Sequence, residues 1–178
     1  MILFFGLGNP GKDYDNTRHN LGQMVIKNFA KKNNFSLSKK SKLQSEVGES
    51  SQNIFAVSTE YMNVSGTSVQ KVAAFYKISP ENIYVIHDDL DLPVGEWKLQ
   101  FDRGPAGHNG VISTIENLGT QSFWRIRIGI SHPRLAEVEG KGGPSVEDYV
   151  LKPFSSDEKV LISQTIDKIV EQINILGH

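Results

Sequence analysis

Apolar and polar positions along the chain follow two periods, and these predict where strands and helices lie. Short runs rich in β-branched and aromatic residues predict strands at 2–7, 54–58, 83–87, 97–101 and 125–130. The last run alternates basic and apolar residues, which is typical of a half-exposed strand. Residues 34–53 are polar and support no assignment.

Helical spacing predicts four helices. The first covers about 20–33, the second carries Val69, Val72, Ala73 and Tyr76 and ends before Pro80, and the third follows a Gly/Pro loop at 102–110 and runs to about 118. Ser155 and Glu158 form a capping-box pattern ahead of a long amphipathic C-terminal helix. Residues 131–146 contain two prolines and three glycines without periodicity, which predicts a mobile loop.

Strands interleaved with helices predict an α/β fold. We expect a single three-layer domain over residues 1–178, with a twisted mixed β-sheet flanked by helices and a C-terminal amphipathic helix. The absence of cysteine excludes disulfides, thiolate catalysis and cysteine metal sites. Because no window is long enough to span a membrane and the apolar run 1–5 is too short for a signal peptide, we expect a cytoplasmic protein without membrane partners.

The glycine-rich turn at 6–11 follows a predicted strand and matches the spacing of a dinucleotide-binding fingerprint. Two features oppose that interpretation: Pro10 lacks the N–H that would cradle pyrophosphate, and the helix begins only near 17–20. No strand ending in an acidic residue follows at the expected distance, so we expect no nucleotide cofactor. The turn is better explained as presenting Asn9 at the end of the strand, although Asn9 could instead hydrogen-bond to its own turn.

His19 and the acidic segment 87–91 are the first candidates for chemistry. A lone histidine is commonly structural, but a carboxylate that orients it would make a general base. Asp88 could do so, because its segment closes a predicted strand and ligands bind at strand ends in α/β sheets. We expect no metal, because adjacent carboxylates on a strand alternate in direction and no second His/Glu cluster completes a coordination shell. Asp89 and Asp91 are expected to serve turns or caps.

Three asparagines occupy comparable places, where a loop or strand leads towards a helix: Asn9, Asn63 and Asn109. Such residues are often plain helix caps. Their amides can also donate and accept hydrogen bonds, which suits recognition of carbonyls and hydroxyls or polarisation of an ester. Ser65 and Ser113 lack the setting of a nucleophilic serine, so a hydrolytic reaction would use activated water.

Basic residues are unevenly distributed, although the net charge is only −1. The first group comprises Lys27, Lys31, Lys32, Lys39, Lys40 and Lys42, and the second comprises Lys98, Arg103, Arg125 and Arg127. The first group in particular could be an ordinary solvated surface. A local basic face can nevertheless bind phosphate on a near-neutral protein.

Taken together, the motifs resemble the bacterial peptidyl-tRNA hydrolase family. The matching segments occur in family order over most of the chain: 6–11, Tyr14, 17–22, 61–66, 87–93 with Gly95, 107–110 and 125–130. The resemblance implies a metal-independent hydrolase that cleaves the ester between a peptide and the 3′ ribose of tRNA, recycling tRNA during translation. It also implies a monomer without cofactor, whose partner, peptidyl-tRNA, presents its 3′ CCA end and acceptor phosphates.

By motif match, the resemblance makes His19 the catalytic histidine and Asp88 its partner and places Asn9 in the substrate cleft; we count Asn9 among the catalytic candidates for its oxyanion role. His19 would take a proton from water while Asp88 holds its ring, and either Asn9 or Asn63 would stabilise the oxyanion. Substrate and tRNA contacts would come from Tyr14, Met62, Asn63, Asn109, Lys98 and Arg127.

The sequence departs from the family near the expected phosphate contacts. Gln100 stands where a basic residue is frequent, and Pro105 and Ala106 replace more flexible or polar residues. The competing hypothesis is a non-catalytic RNA-binding or splicing factor on the same scaffold. The presence of His19, Asp88 and all three asparagines favours the enzyme.

Overall fold

A computed structural model describes residues 1–131 and 145–177, and its centre is a seven-stranded sheet. The strands are β1 (Leu3–Gly6), β2 (Ser38–Lys40), β3 (Ser45–Ser50), β4 (Asn53–Ser58), β5 (Ile83–Pro93), β6 (Trp97–Phe101) and β7 (Trp124–Ser131). Their order is β2-β3-β4-β1-β5-β7-β6. The four central strands are parallel, whereas β2, β3 and β6 pair antiparallel at the two edges. The prediction of a mixed sheet is therefore confirmed.

Helices cover both faces of this sheet, as the predicted three-layer arrangement requires. They are α1 (Leu21–Lys32), α2 (Ser65–Tyr76), α3 (Asn109–Leu118), α4 (Val146–Val150) and α5 (Ser156–Leu176). Apolar residues of α1, α4 and α5 pack on one face, and those of α2 and α3 pack on the other. Successive residues of β1 enter opposite cores because strand side chains alternate, so Phe4 lies in the first core and Phe5 in the second.

The ends of the predicted elements differ from the structure in two informative places. β5 continues through the acidic segment to Pro93, well past the predicted end at 87. The unassigned region 34–53 contains the edge strand β2 and its neighbour β3, whose mostly polar residues give little apolar periodicity. The capping box of Ser155 and Glu158 at the start of α5 is confirmed. Most of the predicted loop 131–146, namely 132–144, lies outside the described residues. No helix within the described ranges is long and apolar enough to cross a membrane.

Close backbone contact explains why glycines surround the end of β1. A Cβ on Gly22 would lie 2.1 Å from the carbonyl oxygen of Ile86, and a Cβ on Gly6 would lie 2.3 Å from that of Gly22. Since real Cβ atoms do not approach so closely, only glycine lets α1 begin directly against β1 and β5. The turn before α1 is thereby held at the ends of these strands.

Candidate active site

Three side chains from separate elements meet at Asp88, in the middle of β5 and just beyond the point where its pairing with β1 ends. His19 lies on a short 3-10 turn, Arg18–Asn20, that leads into α1. Its Nδ1 lies 3.0 Å from both carboxylate oxygens of Asp88, which belongs to β5. His108, the residue before α3, brings its Nε2 within 2.9 Å of Asp88 Oδ1. The structure therefore unites the predicted pair His19 and Asp88, and it adds a histidine that the sequence did not single out.

The position of the protons on the two rings follows from their other contacts. Nδ1 of His108 accepts from the backbone N–H groups of Gly110 and Val111, at 3.2 and 3.3 Å. Because that nitrogen must present a lone pair, neutral His108 carries its proton on Nε2 and donates it to Asp88. His19 likewise donates from Nδ1, which leaves its Nε2 as the nitrogen with a lone pair. Nε2 of His19 has no hydrogen-bond partner in the part of the chain that the structure describes.

The charges of this cluster favour an ionised Asp88 beside a basic His19. Burial alone would raise the pKa of Asp88, but the charges and hydrogen bonds of His19 and His108 hold it well below its usual range. Burial alone would lower the pKa of His19, but the charge and hydrogen bond of Asp88 outweigh it and raise that pKa. His19 is thus a stronger base than an ordinary histidine, and its side chain remains 13% exposed.

His87 supports the cluster from inside the protein. Its ring is buried, and its Nδ1 donates to the backbone oxygen of Asp88 at 2.7 Å. Burial and the neighbouring His108 lower the pKa of His87 to about 3, so the ring is neutral at physiological pH. It meets the ring of His108 edge to face, with the two centres 4.7 Å apart. His87 therefore holds both the backbone of Asp88 and the ring of His108.

The same cluster brings three possible metal-ligand atoms within 4.8 Å of one another, one each from His19, Asp88 and His108. The proton on His108 opposes that use. A metal would require a lone pair on its Nε2, and the proton would then move to Nδ1, where it would face two backbone N–H groups. These donors therefore suit a hydrogen-bonded carboxylate better than a metal ion.

Hydrogen bonds fix the backbone and the Oδ1 of Asn9 and leave its side-chain N–H groups available as donors. Its backbone N–H and C=O exchange hydrogen bonds with the side chain of Asn20, at 2.8 and 2.9 Å. Its Oδ1 accepts from the backbone N–H of Met62 at 2.8 Å. Among the described residues nothing accepts from its Nδ2. The turn at 6–11 therefore presents an oriented N–H donor, and the alternative in which Asn9 bonds only to its own turn is wrong.

The remaining predicted substrate residues lie on the neighbouring turns. Met62 is buried, and its sulfur packs against Gly110 closely enough that a Cβ there would lie 2.5 Å away. Asn63 and Asn109 are exposed, and neither caps a helix, because His108 caps α3 and α2 has no side-chain cap. Tyr14 is half-buried and meets the ring of Tyr61 edge to face, at 6.4 Å between centres.

A cavity of about 100 Å³ opens beside His19 and Asp88. Its other walls come from β5, from the loop before α3 and from α4, and their apolar residues are Leu90, Pro105, Ala106, Val146 and Val150. Asn109 and Glu147 also line it. Pro105 and Ala106, two of the departures from the family pattern, thus lie in the cavity wall.

The two residues expected to contact phosphate differ in accessibility. Lys98 on β6 is exposed, and it lies opposite Arg127 of β7 in the sheet register. Arg127 is only 3% exposed, its Nε donates to Asp89 at 2.7 Å, and a terminal nitrogen donates to Gln100. In this arrangement the guanidinium of Arg127 faces protein acceptors, so Lys98 is the better placed of the two for phosphate. The expected turn role of Asp89 is confirmed, because its Oδ1 accepts from the backbone N–H of Asp91.

Sequence reasoning missed His108 because Asn109 beside it is the more familiar type of helix cap. A usable signal was present, since a histidine directly before a predicted helix can cap it with one nitrogen and present the other. Its distance from Asp88, twenty positions away in the chain, could not be read from the sequence.

Comparisons with known proteins agree with one another. The family model described as peptidyl-tRNA hydrolase matches residues 3–178. A peptidyl-tRNA hydrolase of Rickettsia bellii is 43% identical over 180 residues, covering 99% of this chain and 93% of the relative. One of Bacillus cytotoxicus is 44% identical over 172 residues, covering 94% and 88%. The crystal structure of peptidyl-tRNA hydrolase from Acinetobacter baumannii superposes with a TM-score of 0.88 at 33% identity, covering 99% of this chain and 88% of that one.

Proposed function

The chain belongs to the peptidyl-tRNA hydrolase family, and we propose on that basis that it hydrolyses the ester between a peptide and the 3′ ribose of tRNA, with His19 as the general base. One observation carries the assignment of the base. His19 Nδ1 is held on the carboxylate of Asp88 while its Nε2 keeps a lone pair without a partner among the described residues. Such a ring is oriented to accept a proton from water, which is typical of general-base catalysis.

The reaction needs one proton transfer in each direction. Water bound at His19 Nε2 attacks the ester carbonyl carbon while its proton passes to that nitrogen, which forms a tetrahedral oxyanion. Collapse of this intermediate breaks the bond to the ribose oxygen, which takes the proton back from His19. Asp88 accepts hydrogen bonds from both histidines throughout, so it stabilises the transient imidazolium without being protonated itself.

For the oxyanion, the geometry favours Asn9 over Asn63. The Oδ1 of Asn9 is committed to the N–H of Met62, so its Nδ2 can only point elsewhere as a donor. Asn63 is exposed and has no side-chain hydrogen bond to a described residue, so its amide is not oriented in advance. A donor aimed before the reaction begins costs no reorganisation and is worth roughly 10²–10³-fold in kcat.

Asn9→Asp tests this choice, because it keeps an oxygen for the N–H of Met62 and removes the donor. We expect kcat to fall by roughly 10²–10³-fold, with a smaller loss in the control Asn63→Asp. Equal losses in the two variants would refute the assignment of Asn9.

The cavity beside His19 suits part of the peptidyl group. Its largely apolar walls could take one side chain of the acyl component, and the exposed amide of Asn109 at its rim could bond to a peptide carbonyl. Lys98 is the proposed contact for an acceptor-stem phosphate. Arg127 supports it indirectly, by holding Asp89 and Gln100 on the same face of the sheet.

We further propose that the protein acts as a single-domain monomer in the cytoplasm, where translation produces its substrate. Nothing beyond one chain is needed to assemble His19, Asp88, His108 and Asn9 at a single sheet end. Sedimentation at assay concentrations would check this, and activity found only in an oligomeric fraction would contradict it.

Turnover of purified peptidyl-tRNA tests the function itself. Wild type should release peptide, and His19→Ala should lose roughly 10²–10⁴-fold in kcat while keeping its affinity for tRNA. Near-normal turnover in that variant would remove His19 from the mechanism. Wild-type protein that binds peptidyl-tRNA without cleaving it would instead identify a non-catalytic RNA-binding protein.

A further inference from the structure

Arg18, the residue before His19, is buried and has no part in the reaction described above. One terminal nitrogen donates to Glu158 Oε2 at 2.7 Å. The other reaches the carbonyl oxygens of Tyr149, Lys152 and Pro153, at 3.4, 3.2 and 3.1 Å. The guanidinium also lies 4.2 Å from the centre of the Tyr149 ring. A planar guanidinium with several N–H donors can hydrogen-bond to a carboxylate and to several carbonyl oxygens at the same time.

These contacts join three parts of the chain. The backbone N–H of Arg18 donates to Lys152 at 3.1 Å, and Thr17 forms an isolated antiparallel bridge with Pro153. Glu158 Oε2 also accepts from the backbone N–H of Ser155, which is half of the capping box of α5. The turn that carries His19, the end of α4 and the start of α5 therefore converge on one buried ion pair.

The segment held by Arg18 forms a wall of the cavity beside His19. α4 contributes Val146, Glu147 and Val150 to that wall. It is only five residues long, and the carbonyl of Tyr149 accepts from Arg18 at 3.4 Å in addition to the backbone N–H of Lys152 at 3.2 Å. Arg18 donates to the carbonyl oxygen of Tyr149, and the Tyr149 hydroxyl donates to the backbone oxygen of Ile130 at 2.6 Å. Arg18 therefore links this wall directly to the turn that carries His19.

We propose that Arg18 and Glu158 form a clasp that sets the width of the acyl-binding cavity and hence the affinity for the peptidyl group. This inference rests on the proposed function. Arg18 is a positioning residue, because its guanidinium faces Glu158 and the carbonyl oxygens and is absent from the cavity lining. The rate of the chemical step is set separately by Asp88 and His108, which lie on β5 and next to α3 and do not contact the clasp.

A looser clasp should affect substrate binding and chemistry differently. Contacts between α4 and the acyl group form in the bound substrate and persist in the transition state. Their loss therefore weakens the binding of both states equally. Such a loss raises KM and leaves kcat nearly unchanged. The pH at which the rate is half-maximal should also stay at its wild-type value, because the hydrogen bonds between His19 and Asp88 remain.

The test uses two conservative variants and one matched control. Glu158→Gln keeps an oxygen for the N–H of Ser155 but loses the charge that faces Arg18. Arg18→Lys keeps its charge but cannot reach the carboxylate and the carbonyls together. The control is Lys32→Ala, which breaks an exposed ion pair of 2.6 Å to Asp167 that also ties α5 to α1. It removes an attachment of α5 without touching the cavity.

For a peptidyl-tRNA ester, KM should rise about tenfold in Glu158→Gln and Arg18→Lys while kcat stays within about twofold. Hydrogen exchange followed by mass spectrometry should be faster at 145–153 in both variants. Lys32→Ala should match wild type in both measurements. If one of the two variants fails to fold, the other gives both readouts.

Two results would overturn the clasp. One is a folded variant with wild-type KM and wild-type exchange at 145–153. The other is a fall in kcat with a shifted pH midpoint and unchanged KM, which would mean that Arg18 acts through His19. A wild-type protein without turnover would refute the proposed function, whereas exchange at 145–153 would still decide whether the clasp exists.

Discussion

Replacing Asp88 with asparagine tests the central feature of the site, which is one carboxylate shared by two histidine donors. Asparagine has nearly the same shape but offers one acceptor oxygen and one donor nitrogen. His108 needs an acceptor, because its Nδ1 is committed to two backbone N–H groups. The oxygen of the new side chain should therefore face His108 and its nitrogen should face His19. That contact moves the proton of His19 to Nε2, where the reaction needs a lone pair.

Two measurable effects follow from Asp88→Asn. The altered tautomer removes the general base, so kcat should fall by roughly 10²–10⁴-fold. The pKa of His19 should also fall, because burial, which lowers it, remains while the charge of Asp88, which raises it, is lost. A base acts in its unprotonated form, so the rate increases as the pH rises through this pKa. The midpoint should lie above about 6.5 in wild type and below it in the variant.

The assay is steady-state hydrolysis of peptidyl-tRNA between about pH 5 and pH 9, a range that spans both expected midpoints. It compares wild type, Asp88→Asn, His108→Ala and the double variant. Without His108, the asparagine oxygen becomes free to accept from His19, so the double variant should be at least about tenfold faster than the product of the two single losses. Multiplicative losses would refute the competition for one acceptor. An unchanged rate and midpoint in Asp88→Asn would refute the role of Asp88 altogether.

Three further outcomes follow from local geometry. In Gly22→Ala the new Cβ would lie 2.1 Å from a β5 carbonyl oxygen, so urea titration should show a loss of about 1–3 kcal/mol or more in unfolding free energy. The control Gly104→Ala adds its Cβ in open space and should change the unfolding free energy by at most about 0.5 kcal/mol, so equal losses in the two variants would contradict the close contact. Lys98→Ala should weaken tRNA binding and reduce its salt slope by about one, whereas Lys39→Ala on the opposite sheet edge should change neither. Burial alone would raise the pKa of Asp88, but its two histidine partners lower it by more, so its charge stabilises the fold above about pH 4 and this contribution is lost as the pH falls. Urea titrations of Asp88→Asn should therefore show a weaker loss of stability on acidification than wild type. An unchanged acid dependence would count against an ionised Asp88.

Most of the elements could be predicted because their residues are buried in a regular pattern. The strand at Trp97–Phe101 has the predicted bounds, and α1, α2 and α3 lie where helical spacing placed them. β2 and β3 could not be predicted, because these polar strands take their conformation from antiparallel pairing, β2 with β3 and β3 with β4, rather than from apolar burial. β5 was predicted too short for a related reason. Its acidic end is held by pairing with β7, which a local pattern does not reveal.

Some residues of the candidate site could likewise be predicted from the sequence, and others could not. His19 and Asp88 were found because the type of residue and its place at a strand or helix end already suggest chemistry. Arg127 shows the limit of that reasoning, since alternation on β7 predicted a half-exposed basic residue. The structure buries it, because Asp89 on the neighbouring strand and Gln100 on β6 supply acceptors for its guanidinium.

Residue types and near neighbours along the chain were enough to predict the layered α/β arrangement, the candidate base His19 with Asp88, and the turn that presents Asn9. These depend on residue type and on neighbours close in the chain, which local rules describe. Three contacts emerged only from the folded chain: His108 shares Asp88, the Nδ2 of Asn9 is left without a partner among the described residues, and Arg18 joins α4 to the turn of His19. Each of these depends on hydrogen bonds between residues far apart in sequence. Such bonds form only where the packing of helices against the sheet brings donor and acceptor to about 3 Å.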